Sequence, residues 1–166
     1  MDPLTLERYR LPIEQAVTSA IGQPWHIEQA TDLRDLASHP CAVLTGGAVS
    51  VFAKLSQAAN GVEQFEVELE GLRVLAARAG VLVPAPIGIL TVEGGAILLL
   101  EAARELERTP LAWRQFGQAL ARVHSVRGAV FGFERQGYFG PLFQDNRPTP
   151  DWVSFYTERR LWPRLA

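Results

Sequence analysis

The sequence predicts an α+β fold, and three observations carry the prediction. Apolar runs of strand length come in two closely spaced pairs, 41–44 with 48–55 and 87–91 with 95–101. A short glycine-bearing turn separates each pair, Thr45-Gly46-Gly47 in the first and Val92-Glu93-Gly94 in the second, as in an antiparallel hairpin. One strongly periodic helical stretch, 62–79, stands between the pairs. Strands, a helix and further strands give an antiparallel sheet with a helix beside it, rather than a doubly wound parallel sheet. With a first strand from Trp25, candidates begin at Trp25, Cys41, Val49, Ile87 and Ala96, a five-stranded count.

The composition bounds the rest. At 166 residues, with 48% hydrophobic and 20% charged residues, the chain can bury a core of ordinary domain size. A net charge of -2 argues against a nucleic-acid partner. A single cysteine, Cys41, excludes an intrachain disulfide and suits a reducing compartment. The N-terminus lacks the pattern of a signal peptide, and the longest apolar runs, such as 96–100, are too short for a bilayer. A cytoplasmic protein with no membrane partner is expected.

Taken in order, Pro12 suits the first turn of a helix running to Ile21, with Ile13, Ala16, Val17, Ala20 and Ile21 on one side. Gly22-Gln23-Pro24 stops it. The weak alternation of 25–29 reads as the first strand, and 32–40 as loop. Gly46 and Gly47 supply the positive φ of the first hairpin turn. In 62–79, Phe65, Leu69, Leu72, Leu75, Ala76 and Ala79 form one stripe, and Gly80 ends the helix. The prolines at 84 and 86 keep 81–86 extended. Thr109-Pro110 is a cap followed by proline at the first helical position, opening a helix to about Val126 with Leu111, Phe116, Leu120 and Val123 facing in. The stretch 131–150 is irregular but ordered by its aromatics, and a last helix runs from Asp151-Trp152 to about Trp162-Pro163.

Among 16 basic residues, Lys54 is the only lysine. A compact ammonium at the end of an apolar strand suits a phosphate, where arginine would suit a forked salt bridge. The plain alternative is a surface lysine at a strand end. Helical phase turns Glu63, Glu66 and Glu70 away from the apolar stripe and points Glu68 at the sheet. A carboxylate aimed at a core needs a partner. Phe52 and Lys54 share one strand face and Val51 and Ala53 the other, so Lys54 is the natural partner, against the alternative of a boundary glutamate whose head reaches water. A strand lysine held by a helix glutamate positions ATP phosphates in kinases.

An ordered series of motifs accompanies this pair. Val51-Phe52-Ala53-Lys54 is followed by 65–72, Val83-Pro84-Ala85-Pro86, Leu98-Leu99-Leu100-Glu101 and Leu120-Ala121-Arg122-Val123-His124. Phe131-Gly132-Phe133, Tyr138-Phe139-Gly140, Asn146, Asp151-Trp152 and Glu158-Arg159-Arg160-Leu161 complete it. From about Val43 onward the series resembles the fructosamine (ketosamine) kinase family, small-molecule kinases related to aminoglycoside phosphotransferases and built on the protein-kinase-like fold. The resemblance implies a kinase-like N-lobe over 1–101, followed by a hinge and the first helices of a C-lobe over 102–166. It implies ATP and Mg²⁺ as cofactors and phosphoryl transfer to a sugar-amine hydroxyl. Lys54 would bind the α/β-phosphates, Glu68 would hold it, and Glu101 to Ala103 would form the hinge against the adenine. Leu98 and Leu100 would lie near the base, as plain strand core in either case. His124 would be a packing residue. Tyr138, Asn146, Asp151 and Trp152 fall where such kinases build the floor of the acceptor cleft. A loop ordered by its own aromatics is the alternative there.

Two departures from the family pattern stand out. The phosphate-covering turn is glycine-rich in the family but reads Ala37-Ser38-His39-Pro40-Cys41 here, which limits backbone approach to phosphates. Cys41 is expected to be a buried, inert thiol. None of the three histidines begins a His-x-Asp, so the family's catalytic loop and magnesium aspartate would lie beyond Ala166. No catalytic residue and no metal-ligand spacing is expected in the chain itself. Three readings follow: a truncated fructosamine-kinase-like phosphotransferase, a non-catalytic module that dimerises through Trp152, Phe155, Leu161 and Trp162, or a related aminoglycoside-type kinase with another acceptor.

Overall fold

The computed structural model of the chain describes residues 3–33, 35, 37–140 and 142–165, with side chains from Leu6 onward. Two compact units form, 1–66 with 84–106 and 67–83 with 107–166.

In the first unit, Leu6, Tyr9, Ile13 and Val17 recur at helical spacing and are all buried, which builds helix α1 (Pro3–Ile21). The helix begins nine residues before the expected start at Pro12, which lies inside it. Pro12 has no N–H to give the Arg8 carbonyl, yet the apolar stripe continues on both sides of it, and core burial outweighs the lost bond.

The stripe packs on a five-stranded antiparallel sheet of β1 (Gln29–Asp32), β2 (Cys41–Gly46), β3 (Val49–Ser56), β4 (Pro86–Val92) and β5 (Gly95–Glu101), in the order β1-β2-β3-β5-β4. The five-stranded antiparallel prediction holds. The first strand does not begin at Trp25; pairing with β2 starts at Gln29 opposite Thr45 and runs to Asp32. Trp25 and Ile27 do alternate into the core, but Trp25 serves as a plug: its indole N–H donates to the carbonyls of Gly46 (3.0 Å) and Val49 (3.3 Å). Only Gly47 of the glycine pair has positive φ, +57°. Gly46 is required by space instead, since a Cβ there would lie 2.1 Å from the His26 carbonyl oxygen.

Helix α2 (Gly61–Ala79) starts one residue before its predicted bound. Its first turn is tied to β3 by the buried Ser56 hydroxyl, which donates to Gln64 Oε1 at 2.8 Å, while Gln64 Nε2 donates to Asn60 Oδ1 at 3.1 Å. Gly80 ends it at φ +60°, its N–H on the Ala76 carbonyl. The β4–β5 hairpin turns at Gly94, φ +81°.

In the second unit, Thr109 caps α3 (Pro110–Ser125), its hydroxyl accepting from Ala112 N at 3.1 Å. The predicted inward face of α3 is not inward. Leu111, Trp113 and Phe116 are about 60% exposed, Leu120 is exposed, Val123 is half-buried, and the helix has no buried residue. His124 is likewise exposed rather than packed. Amphipathicity specifies that a face is apolar, and no described element of the unit covers it. The stretch expected to be irregular contains a small hairpin, β6 (Gly137–Phe139) and β7 (Leu142–Gln144), and a bridge between Phe131 and Thr149. Helix α4 (Trp152–Tyr156), a π turn (Thr157–Leu161) and α5 (Trp162–Leu165) continue one another. Of the expected apolar patch here, Trp152, Leu161 and Trp162 are exposed, whereas Phe155 is buried. Among the described residues no helix is long and apolar enough to cross a membrane.

Candidate functional site

Strand register sets the geometry around Lys54. It lies opposite Cys41 on β2 and Leu98 on β5, so β3 is paired on both sides. Successive side chains point to opposite faces. Val51 and Ala53 are fully buried and Leu55 nearly so, against α1. Ser50, Phe52 and Lys54 occupy the other face and are half-buried. The Lys54 ammonium lies 5.8 Å from the centroid of the buried Phe65 ring of α2, within cation–π range. The His39 ring, from the segment joining β1 and β2, lies 6.1 Å from the same ring. Lysine, loop and the first turns of α2 therefore meet at one end of the sheet.

On α2, Glu68 follows Phe65 by three residues, on neighbouring positions of one face. It is half-buried, while Glu63 and Glu66 are exposed. Glu70, expected to face away, is half-buried and accepts from Arg135 Nη1 at 3.2 Å.

Cys41 is buried, with its thiol 3.5 Å from the Leu33 carbonyl oxygen. Burial pushes the thiol's pKa up, and the nearby Lys54 charge pulls the other way. Raised thiols are poor nucleophiles, in line with the inert reading.

Glu101 closes β5 opposite Val51, and its side chain therefore shares the α1 face. Its N–H donates to the Ala85 carbonyl (2.8 Å), and the Ala102 N–H to the Ser50 carbonyl (3.1 Å). These bonds fix the backbone where the chain leaves the sheet. A cleft of about 390 Å³ opens there, lined by Val43, Ser50, Glu101, Ala102, Ala103 and Arg104 and by the β2–β3 turn. Leu98 and Leu100 are buried, Leu98 fully.

The remaining candidates lie in the second unit. Asp151 caps α4, Oδ1 accepting from Ser154 N at 2.8 Å, and this backbone bond lowers its pKa. Trp152 stacks on Tyr156 at 5.3 Å and approaches Phe131 at 5.7 Å. The half-buried Tyr138 meets Phe143 edge-on at 5.9 Å. Asn146 ties the loop together: its Nδ2 donates to the Arg135 carbonyl, its N–H to Gln136 Oε1, and its Oδ1 accepts from Arg160. A centre the sequence reading missed is Asp145. Its carboxylate accepts from Arg147 (2.7 Å) and Arg159 (2.6 Å), and the Arg147 guanidinium holds it well below the usual carboxylate range. Arg147 is only two residues from Asp145, but Arg159 is fourteen away, and so loose a set carries no spacing signal. The Arg159 Nε is buried and has no hydrogen-bond partner among the described residues. Among the described residues no three His, Cys, Asp or Glu side chains form a group able to hold a metal ion, so no chemistry is assigned to magnesium through these residues.

Comparison with known proteins agrees with this arrangement. The family model for fructosamine kinase matches residues 11–166. A "Probable ketoamine kinase" of Synechocystis is 31% identical over 155 residues, covering 93% of this chain and 52% of that protein. One from Pasteurella multocida is 25% identical, covering 90% and 52%. The crystal structure of a "putative fructosamine-3-kinase" from Thermobifida fusca superposes with a TM-score of 0.70 at 28% identity, covering 92% of this chain and 52% of the other. One from Haemophilus somnus, at 24% identity, shares the fold with a TM-score of 0.76 over 90% and 50%. The chain thus spans about half the length of the relatives it matches. A five-stranded sheet with its strand lysine, a cleft at the end of β5 and a family match over nearly the whole sequence lead to one conclusion: the chain belongs to the fructosamine kinase family.

Proposed function

We propose that this chain forms the nucleotide-binding side of an ATP-dependent phosphotransferase acting on a sugar-amine hydroxyl. The observation that carries the reading is the placement of Lys54 and the hinge cleft on one unit. Lys54 stands three residues along β3 from Val51, the partner of Glu101, or about 10 Å at strand spacing. Ser50 and Val43 of the cleft wall share the Lys54 face by register. A nucleotide laid along this face would set its base against the backbone of 101–103 and its phosphates at the ammonium. The lysine supplies a positive charge that need not reorganise when phosphate arrives. Glu68 would orient Lys54 and offset the cost of half-burying its charge. The acceptor is proposed as a ketosamine on the strength of the relatives' names. Tyr138, Asn146, Asp151 and Trp152 would then shape the loop beneath it rather than react with it. Titration calorimetry of the 166-residue chain with ATP tests the nucleotide reading. Binding is expected at up to millimolar concentration, with Lys54→Met weakening it about 10- to 100-fold, the loss of a charge-assisted contact. Absence of binding by the unmodified chain at millimolar ATP would sink the reading.

A second reading, self-association through apolar helices, is favoured by the exposure of Trp113, Phe116, Trp152 and Trp162. Light scattering that returns one chain mass at every concentration would count against it.

A further inference from the structure

In the second unit, four guanidinium groups converge on the segment 143–146, and one carboxylate answers them. Asp145 accepts from Arg147 through Nε (3.0 Å) and Nη2 (2.7 Å) and from Arg159 Nη1 at 2.6 Å. Arg160 donates to the Asp145 carbonyl at 2.7 Å and to Asn146 Oδ1, and its guanidinium lies 4.5 Å from the Phe155 ring centroid. Arg164 donates to the Phe143 carbonyl at 2.9 Å. Arg160 and Arg164 thus have only neutral acceptors among the described residues. Asp151 caps α4 instead, and Glu158 is exposed. Burial lowers the pKa of Arg160, and the neighbouring charges of Arg164 and Arg159 lower it further against the pull of Asp145. Arg159 is 16% exposed, and its buried Nε has no partner among the described residues. Buried unpaired N–H groups are costly and rare in native structures, and each calls for an account. The π form of 157–161, which carries Arg159 and Arg160, is itself rare and is found frequently at functional sites. A clamp that only fastened the loop would need one arginine per carboxylate. The surplus does not strengthen it, since like charges gathered in a half-buried place repel.

Resting on the acceptor reading above, we propose that this arginine cluster is an oxyanion site, and that it reads an acidic group, carboxylate or phosphate, on the sugar-amine acceptor. Guanidinium groups present paired N–H donors that match either group. Arg147 is 69% exposed and Arg164 is exposed, so the cluster has an open side that a solute can reach. Each of these two arms keeps an Nη1 without a partner among the described residues. Arg159 and Arg160 hold the cluster from within. Its place in the fold fits the role, because Asn146, set beneath the acceptor in that reading, is bonded by Arg160. An acidic acceptor offsets the surplus positive charge, whereas a neutral one gains nothing from it. The unit as a whole favours anions, since arginines outnumber acidic residues in it although the chain has a net charge of -2.

The test titrates the chain with inorganic phosphate, fructosyl-glycine, its neutral glycinamide counterpart and that amide phosphorylated on the sugar, and follows the arginine Nε–H signals by proton–nitrogen NMR. Phosphate and the acidic ketosamines should move the Arg159 Nε–H signal. At least one acidic ketosamine should bind about 10-fold more tightly than the neutral amide, the low end for a hydrogen bond between charged groups. The one that gains more over the amide identifies the acidic group. Arg147→Gln should remove most of that gain and keep the fold, because Arg159 still holds Asp145. Arg164→Gln leaves both ion pairs of Asp145 in place and should weaken the acidic probes while sparing the amide. Arg122→Gln, an exposed arginine on α3, controls for overall charge and should leave every probe within about twofold. The proposal is overturned if acidic and neutral ketosamines bind alike, if phosphate leaves the Arg159 signal in place, or if Arg122→Gln weakens the acidic probes as much as Arg147→Gln does. If phosphate binds with this arginine dependence but no ketosamine binds, the acceptor reading fails and the oxyanion site stands without it.

Discussion

Replacing Gly46 with alanine tests how the β2–β3 hairpin is held beside the cleft at the end of β5. The new Cβ would lie 2.1 Å from the His26 carbonyl oxygen and 2.7 Å from Trp25 Nε1, where ordinary contacts fall at 3.4–4 Å. Backbone on one side and a buried indole on the other must open by more than an ångström. Overpacking of this kind costs about 1–3 kcal/mol. The shift also pulls the Trp25 indole N–H from the Gly46 and Val49 carbonyls, and a buried donor left unsatisfied costs about 1–3 kcal/mol. The sum, about 2–6 kcal/mol, is a large part of the stability of an ordinary domain and corresponds to a fall in melting temperature of roughly 5–20 °C. Gly47→Ala is the control, because a Cβ there meets open space and pays only for φ +57°, about 1–2 kcal/mol. Thermal melts and urea titrations of the two variants separate the effects. Gly46→Ala should be the less stable, and under the proposed function any ATP affinity should fall too, since Val49 and Ser50 line the cleft. A Gly46→Ala protein as stable as Gly47→Ala would refute the reasoning.

Two further outcomes follow. Asp145 has its folded-state pKa depressed by Arg147 and Arg159, so its contribution to stability is present above the unfolded value of 3.8 and is lost as pH falls through the folded one. Asp145→Asn should therefore lower the melting temperature at neutral pH and reduce the loss on acidification below about pH 4, with parallel pH profiles for the two proteins as the contrary result. The paired change Trp113→Glu and Phe116→Glu on the exposed face of α3 should change the unfolding free energy from urea titration by no more than about 0.5 kcal/mol per site. Costs near 3–5 kcal/mol, as for buried aromatics, would show that this face is packed.

Local chemistry made much of the fold readable. The ends of β5 and of α2, at Glu101 and Ala79, agree with the sequence reading to the residue, and Gly80 punctuates the helical run. Strand alternation put Phe52 and Lys54 on one face, and burial bears this out. Where the reading failed, tertiary partners decided. Pro12 resembles a helix start, but the stripe through Leu6 and Tyr9 finds the sheet and carries the helix across it. The Trp25 segment alternates like a strand, yet its tryptophan is spent on the hairpin rather than on pairing. On α3 the stripe is legible and its partner is not. At the candidate site, the singular lysine and the helical phase of Glu68 were visible, whereas the cleft at the end of β5 needed the register of β3 with β5 to appear. Asp145 was missed because Arg147, two residues on, reads as an ordinary loop charge, and Arg159 reaches the carboxylate from the π turn fourteen residues away.

The pairing of β3 with neighbours on both sides has a consequence for how this unit comes apart. β1 is an edge strand of four exposed residues and should exchange its amide hydrogens through local fraying. β3 lies inside the sheet, and its amides should exchange only when the whole unit opens. The ammonium of Lys54 thus rides on what should be the slowest-exchanging part of the sheet, while β1 at its edge should be among the fastest.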